Sequence, residues 1–236
     1  MRAAVVAAAM LLLAGCSGDG DTPAGNGITE LPPATVMEKS LAALKTVPSY
    51  RVDIHTDNGN LQTSTTIAVV GTDLRGTVTK ADGKSEILKV GANYYVAPDE
   101  AFWSNWFDQP ERAHAYTEYA HGRWIKVAKR DGLVHTSGLD GAFAFAERNA
   151  LNGAVPRHMS LGERKDVSGV PTITVLDSRN DLTHISVATT GEPYPIRWDF
   201  GHGAVADFSG FGTTSAEIED PAATEVVDMA TVIRSS

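Results

Sequence analysis

The sequence predicts a mainly β (α+β) protein, a curved antiparallel half-barrel sheet of about ten strands with two or three helices on its concave side. Three observations lead there. Short segments in which apolar and polar residues alternate recur from Tyr50 to Val96 and again from Met159 to Phe208, the period of a strand with one buried face. Tight-turn residues separate them, among them Asp57-Asn58-Gly59-Asn60, Ala81-Asp82-Gly83 and Gly201-His202-Gly203, and strands joined by such turns pair antiparallel. Two other segments, Thr35 to Val47 and Leu139 to Leu151, carry their apolar residues at helical spacing. A sheet this long with one apolar face must close into a barrel, fold against a second sheet, or curl around helices. Two amphipathic segments able to fill the hollow favour the last.

The elements follow in order. Met37, Leu41, Leu44 and Val47 form one stripe of the first helix, Thr35 and Glu38 have the spacing of a capping box, and Pro48 ends the run. Five strands of a meander come next, around Tyr50 to Ile54, Thr63 to Val69, Leu74 to Lys80, Glu86 to Val90, and Tyr94 to Val96. Asp99 to Tyr119 interrupts them with Phe102, Trp103, Trp106, Phe107, Tyr116 and Tyr119, and its first part reads as a helix or helical loop. Trp124-Ile125-Lys126-Val127 resumes the strand pattern, and Leu139 to Leu151 forms the second helix with Phe143, Phe145 and Ala146. A second strand series runs through Met159 to Val167, Pro171 to Leu176, Leu182 to Thr189, Tyr194 to Phe200 and Ala204 to Phe208. Glu217 to Asp220 reads as an acidic strand before Pro221. The two series could be halves of one sheet.

Composition bounds the rest. The chain has 236 residues, 42% hydrophobic and 21% charged, an ordinary globular balance. A formal charge of −9 with no Lys/Arg cluster argues against nucleic-acid binding through a basic patch and against electrostatic docking on anionic lipid. No late segment is apolar enough to span a bilayer.

The one cysteine, Cys16, closes an apolar run from Ala3 to Leu13 that follows Arg2. That run has the length of a signal-peptide core and falls short of the roughly 20 residues a membrane span takes. Leu13-Ala14-Gly15-Cys16 resembles the lipobox of bacterial lipoproteins, in which the leader is cut before a cysteine that receives a diacylglycerol. The resemblance implies residues 1–15 as signal peptide, 16–34 as lipidated cysteine and flexible tether rich in Gly, Pro and Asp, and 35–236 as one domain on the extracytoplasmic face of the cell membrane. The alternative is an ordinary secretory leader with an incidental cysteine. Once acylated, Cys16 leaves no thiol for a disulfide, a thiolate metal site or a nucleophile.

Beyond the anchor, the first helix, the meander, Tyr94-Tyr95-Val96, Gly122-Arg123-Trp124-Ile125-Lys126-Val127, Tyr194-Pro195-Ile196-Arg197 and Ala206-Asp207-Phe208-Ser209-Gly210-Phe211-Gly212 are similar to actinobacterial lipoproteins of the LppX/LprG kind. That resemblance implies a curved sheet related to the lipoprotein carrier LolA, with an apolar cavity that holds lipid or glycolipid acyl chains. It brings no catalytic residues and no cofactor.

Candidate ligand-cavity residues are Phe102, Trp103, Trp106, Phe107, Phe143 and Trp198. Aromatic rings suit a cavity mouth, where lipid meets water, and the reading favoured over it is plain core packing against the sheet. The seven histidines are scattered, and none pairs at a ligand-like interval, so no metal site is expected. Gly201-His202-Gly203-x-x-Ala206 echoes a dinucleotide fingerprint, but strand follows the glycines where a helix is required. The leading reading is a tethered lipid carrier or chaperone with an unidentified envelope partner and no enzymatic activity; the alternative is a tethered interaction or sensory module with a filled core, and the third an exported enzyme with an unrecognised site.

Overall fold

The computed structural model describes residues 25–57, 59, 62–105, 110–128, 139–146, 158–177 and 180–228. Twelve strands form one open, curled sheet: β1 Ser49–Asp57, β2 Gln62–Val70, β3 Asp73–Lys80, β4 Gly83–Val90, β5 Asn93–Pro98, β6 Trp124–Val127, β7 Met159–Val167, β8 Val170–Asp177, β9 Asn180–Ala188, β10 Pro195–Gly201, β11 Ala204–Ser209 and β12 Val226–Asp228. Four helices accompany them: α1 Pro33–Thr46, α2 Glu100–Ser104, α3 Pro110–Ala120 and α4 Leu139–Ala146. The sheet order is β12-β6-β5-β4-β3-β2-β1-β11-β10-β9-β8-β7. The two strand series are therefore two meanders of one half-barrel, sewn together where β1 pairs with β11.

Register explains which face is buried. Val69, Ile67 and Thr65 on β2 face Tyr50, Val52 and Ile54 on β1, and Val52 and Ile54 face Phe208 and Ala206 on β11. The row continues through Ala206 to Trp198, Ile185 and Val175. Because side chains alternate across a strand, alternate residues of these strands join one largely apolar surface; Ser85 and Lys89 are buried on it as well, with Lys89 Nζ donating to Thr72 O and Gly91 O. Tyr50, Val52, Ile67, Val175, Ile185 and Trp198 are wholly buried in it.

Helices cover this concave surface. α1 lies against β7, β8 and β10, α2 against β4, and α4 over β2, β3 and β4. The α1 stripe differs from expectation. Val36, Met37, Ser40, Ala43 and Leu44 are buried and Leu41 is only partly covered, so the face turned to the sheet is centred between Met37 and Ser40 and not on Leu41. The helix begins at Pro33 after Pro32 with no side-chain cap. Proline at the first helical position has its φ preset and lacks only an N–H that would be unpaired there, so the Thr35/Glu38 capping box does not form. α2 is capped by Asp99, whose Oδ1 accepts from Phe102 N at 2.7 Å. It can approach β4 because residue 83 is glycine: a Cβ there would lie 2.3 Å from Phe102 N.

Two further expectations are corrected. Residues 25–30, assigned to the flexible tether, are seated on the domain: Gly25 bridges Thr190, and Ile28, at 2% exposed, enters the core. Glu217 to Asp220 is not a strand. Residues 210–225 cross the outer face as a strap, with Phe211 stacked on Tyr194 at 4.1 Å, Gly212 N donating to Ser49 O at 2.8 Å and Tyr95 Oη donating to Asp220 Oδ1 at 2.8 Å. Burial and this bond to Asp220 push the Tyr95 phenol up to about 12. The strap delivers β12, which pairs in parallel with β6. Of the second expected helix, residues 147–151 lie outside the described residues. Gly201-His202-Gly203 is a hairpin turn with all three residues at positive φ, as the strand on either side required.

The outer face is polar and carries one conflict. Asp53 on β1 sits directly opposite Asp207 on β11, and like charges so placed repel. Each acid has its own fork. Arg51 donates to Asp53 at 2.8 and 3.0 Å, and Arg197 donates to Asp207 at 2.6 and 3.0 Å. Thr66 Oγ1 adds a bond to Asp53 Oδ1 at 2.7 Å. Burial alone would raise the Asp53 carboxyl, but the bonds from Arg51 and Thr66 outweigh it and hold the group below the usual carboxylate range. A folded pKa below the unfolded one contributes stability that is present above the unfolded value of about 3.9 and is lost as pH falls through the folded value. Thr66→Val should therefore lower the melting temperature at neutral pH, as followed by circular dichroism, and the difference from the unmodified protein should close as pH falls through the Asp53 titration. A difference that does not change with pH would show that the Thr66 bond does not tune Asp53.

Candidate functional site

The site grows from α4 and the ends of three strands. α4, with sequence LDGAFAFA, is apolar nearly all round, and Leu139, Ala142, Phe143, Phe145 and Ala146 are buried. A polar contact holds its end: Tyr50 Oη, at the floor of the sheet, donates to Phe145 O at 2.8 Å. Ring contacts position the rest. Phe143 meets Tyr94 edge-on at 5.1 Å, and Phe145 lies 6.1 Å from Phe208. With the helix held over β2 to β4, a cleft of about 320 Å³ remains between it and the neighbouring strands, lined by Ile54, Thr56, Thr63, Thr65, Gly141, Ala142, Ala144, Phe145 and Phe200.

Its chemistry is simple. Ile54, Ala142, Ala144, Phe145 and Phe200 supply apolar walls, three threonine hydroxyls are the polar groups among the side chains, and no charged side chain lines it. A volume of this size lies at the lower end of small-molecule sites. Phe200 also stacks on Trp198 at 5.5 Å with the rings 12° apart. Trp198 is wholly buried, and its Nε1 has no hydrogen-bond partner among the described residues.

Other clefts differ in kind. One of about 500 Å³ on the outer face is lined by charges, including Arg75, Lys84, Glu86, Asp99 and Arg123 beside Trp124. Arg75 and Lys84 each lie 3.6 Å from Glu86 there. Another, of about 460 Å³, lies beside the strap between Tyr95, Lys126 and Asp220. Among the described residues no group of three or more His, Cys, Asp and Glu side chains could hold a metal ion, and no helix is long and apolar enough to cross a membrane.

The predicted cavity residues separate. Phe102, Trp103, Phe143 and Trp198 are all buried, none more than 2% exposed. Trp103 packs on Tyr116 at 5.2 Å, and Trp198 and Phe143 lie next to the cleft through Phe200 and α4 without lining it. Trp106 and Phe107 lie outside the described residues, as does Cys16. The lining residues Ile54, Thr63, Thr65, Ala144, Phe145 and Phe200 were not singled out as a site, because they come together only when α4 crosses the hairpin formed by β1 and β2. The signal available was Gly141 with Ala142 and Ala144, small residues on an otherwise bulky apolar helix.

No family model matches the sequence, and no curated protein matches it either. In structure the chain is similar to LprF from Mycobacterium bovis, at 13% identity, covering 80% of this chain and 96% of that one with a TM-score of 0.47. It is similar as well to an uncharacterized conserved protein from Thermus thermophilus, at 8% identity, covering 83% of this chain and 98% of that one with a TM-score of 0.42.

The Tyr50 bond tests how α4 is held. Tyr50→Phe keeps the ring in the core and leaves the Phe145 carbonyl without its buried donor, a loss of about 1–3 kcal/mol. The expected result is a lower urea midpoint with faster amide exchange in α4 than in β1. Equal effects on both elements would show that the bond does not specifically hold the helix.

Proposed function

We propose that the protein is a lipoprotein anchored through Cys16 on the extracytoplasmic face of the cell membrane, and that it binds acyl chains of a lipid or glycolipid between α4 and the concave face, as a carrier or chaperone. The observation that carries this reading is the uncharged cleft beside α4, which continues the apolar row of the sheet out from under the helix. Each methylene moved from water into such a cleft contributes about 0.8 kcal/mol, so a chain of ten carbons would offset the ordering of both partners. The three threonine hydroxyls provide hydrogen-bonding groups for the polar end of the chain. The anchor, the leader limit at residues 15/16 and the envelope partner rest on the lipobox and the family resemblance, and the start of the domain moves from residue 35 to residue 25.

A second reading, a tethered interaction module with a filled core, is favoured by one observation: Phe102, Trp103, Phe143 and Trp198 already occupy the bowl. The two part on one experiment. Residues 17–236 are expressed without the anchor, purified, and extracted for lipid mass spectrometry. Carrier function requires stoichiometric acyl lipid, or lipid uptake that raises the melting temperature. Ala144→Trp, at a partly exposed lining position, should fill the cleft and abolish loading while the protein remains folded. Absence of lipid from the unmodified domain together with no binding of added lipid favours the filled-core module.

A further inference from the structure

The chain enters the domain at a defined point. Gly25 forms an antiparallel bridge with Thr190, Asn26 N donates to Thr189 O at 2.8 Å, and Asn26 Nδ2 donates to Ala188 O at 3.1 Å and Gly191 O at 3.0 Å. Ile28 follows into the core. These partners lie at the C-terminal end of β9. Register places that end of the half-barrel alongside the start of β10, where Pro195 pairs with Val187. The end of β11 is there too, with Ser209 opposite Arg51, as are the turns that join Val70 to Asp73 and Val90 to Asn93.

The α4 cleft belongs to the other end. Thr56 and Thr63 face each other beside the turn joining β1 to β2, and Phe200 precedes the turn joining β10 to β11. At about 3.3 Å per residue a nine-residue strand such as β1 spans roughly 30 Å, which separates the two ends.

Nine peptide steps lie between Cys16 and Gly25. A flexible chain of that length has a root-mean-square span of roughly 17 Å and a fully extended reach of roughly 30 Å. The seated segment therefore halves the leash that a free chain as far as α1 would provide. Only a leash drawn out along the whole side of the sheet would bring the cleft to the surface that holds Cys16.

We infer that the anchored protein stands with the end carrying Ala188 to Gly191 toward its membrane and the α4 cleft turned away from it, so that acyl chains are exchanged with a second lipid-bearing surface and not with the anchoring leaflet. This rests on the lipid-anchor reading above and adds a direction to it. The protein then spans a gap with its anchor on one side and its ligand opening on the other.

The full chain, processed in its host and reconstituted into phosphatidylcholine vesicles, tests this. With Cys16 held as a thioether, Ala92→Cys in the turn joining β4 to β5 and Asp82→Cys in the turn joining β3 to β4 each introduce one free thiol for a fluorophore. Both positions are exposed and lie at opposite ends of the same strand. A quencher on the lipid headgroups should dim the label at position 92 several-fold more than the label at position 82. Adding Asn26→Ala, which removes two of the bonds that seat the segment, should narrow that difference. Equal quenching at the two positions, or stronger quenching at 82, overturns the orientation. A difference that survives Asn26→Ala unchanged overturns the role of the seated segment. Intact mass is read first: a bare thiol at Cys16 overturns the anchor reading itself and the orientation with it, and is distinguished in this way from a lipidated protein that stands the other way.

Discussion

One constraint organises the molecule: a sheet of twelve strands that does not close must bury one whole face. Its concave row runs from Thr65 through Ile54, Ala206 and Trp198 to Ile185 and Val175, and burying a side chain of the size of Ile or Val contributes about 1.5–3 kcal/mol. A second sheet would need its own outer face. The chain instead lays three short helices in the hollow, and each is held by what its own position permits. α1 carries a stripe of small and medium residues over one meander. α2 comes close to β4 because Gly83 has no side chain. α4 is nearly all apolar, and the Tyr50 hydroxyl bonds the Phe145 carbonyl at its end.

An open sheet also has two edges, and they are handled differently. β6 is covered by β12, a three-residue strand brought in by the strap. β7 is left at the other edge with a bulge between Leu161 and Arg164 and the charged run Glu163, Arg164, Lys165 and Asp166, all exposed. Irregularity and charge at an edge discourage pairing with another chain. The strap thus does for one edge what composition does for the other, and the bond from Tyr95 to Asp220 helps hold the strap that covers that edge.

The degree to which this was legible in the sequence follows the range of the interactions. Period-2 alternation is local, so β1 to β11 were visible, and the joining of two meanders through Tyr50 to Ile54 was within reach because both series showed one apolar face. β12 was invisible, since Val226-Val227-Asp228 is too short for a pattern and its partner Trp124 to Lys126 lies about a hundred residues away. The seated segment was hidden for a related reason. Gly25 and Asn26 look like spacer, and only their bonds to the carbonyls of Ala188, Thr189 and Gly191 and the bridge to Thr190 reveal them as part of the fold. The same limit applied to the site. Phe143 and Trp198 were named because they are large, yet size marks a core position, and the cleft is made where residues are small.

That last point bears on how a half-barrel can be both stable and hollow. The most buried aromatics, Tyr50, Trp103, Trp198 and Phe143, lie in the core between the helices and the sheet, and packing at interior density there supports the fold. Room is left to one side of α4, where Gly141, Ala142 and Ala144 line a cleft with the threonines of β1 and β2. Enlarging the cleft by moving the helix would break the Tyr50 bond and separate Phe143 from Tyr94. Enlarging it by trimming side chains would cost little, because the wall is already of small residues. Ligand size in this architecture is therefore set by the helix face and not by the sheet, and a change of acyl-chain preference should be sought at positions 141, 142 and 144 before any position on the strands.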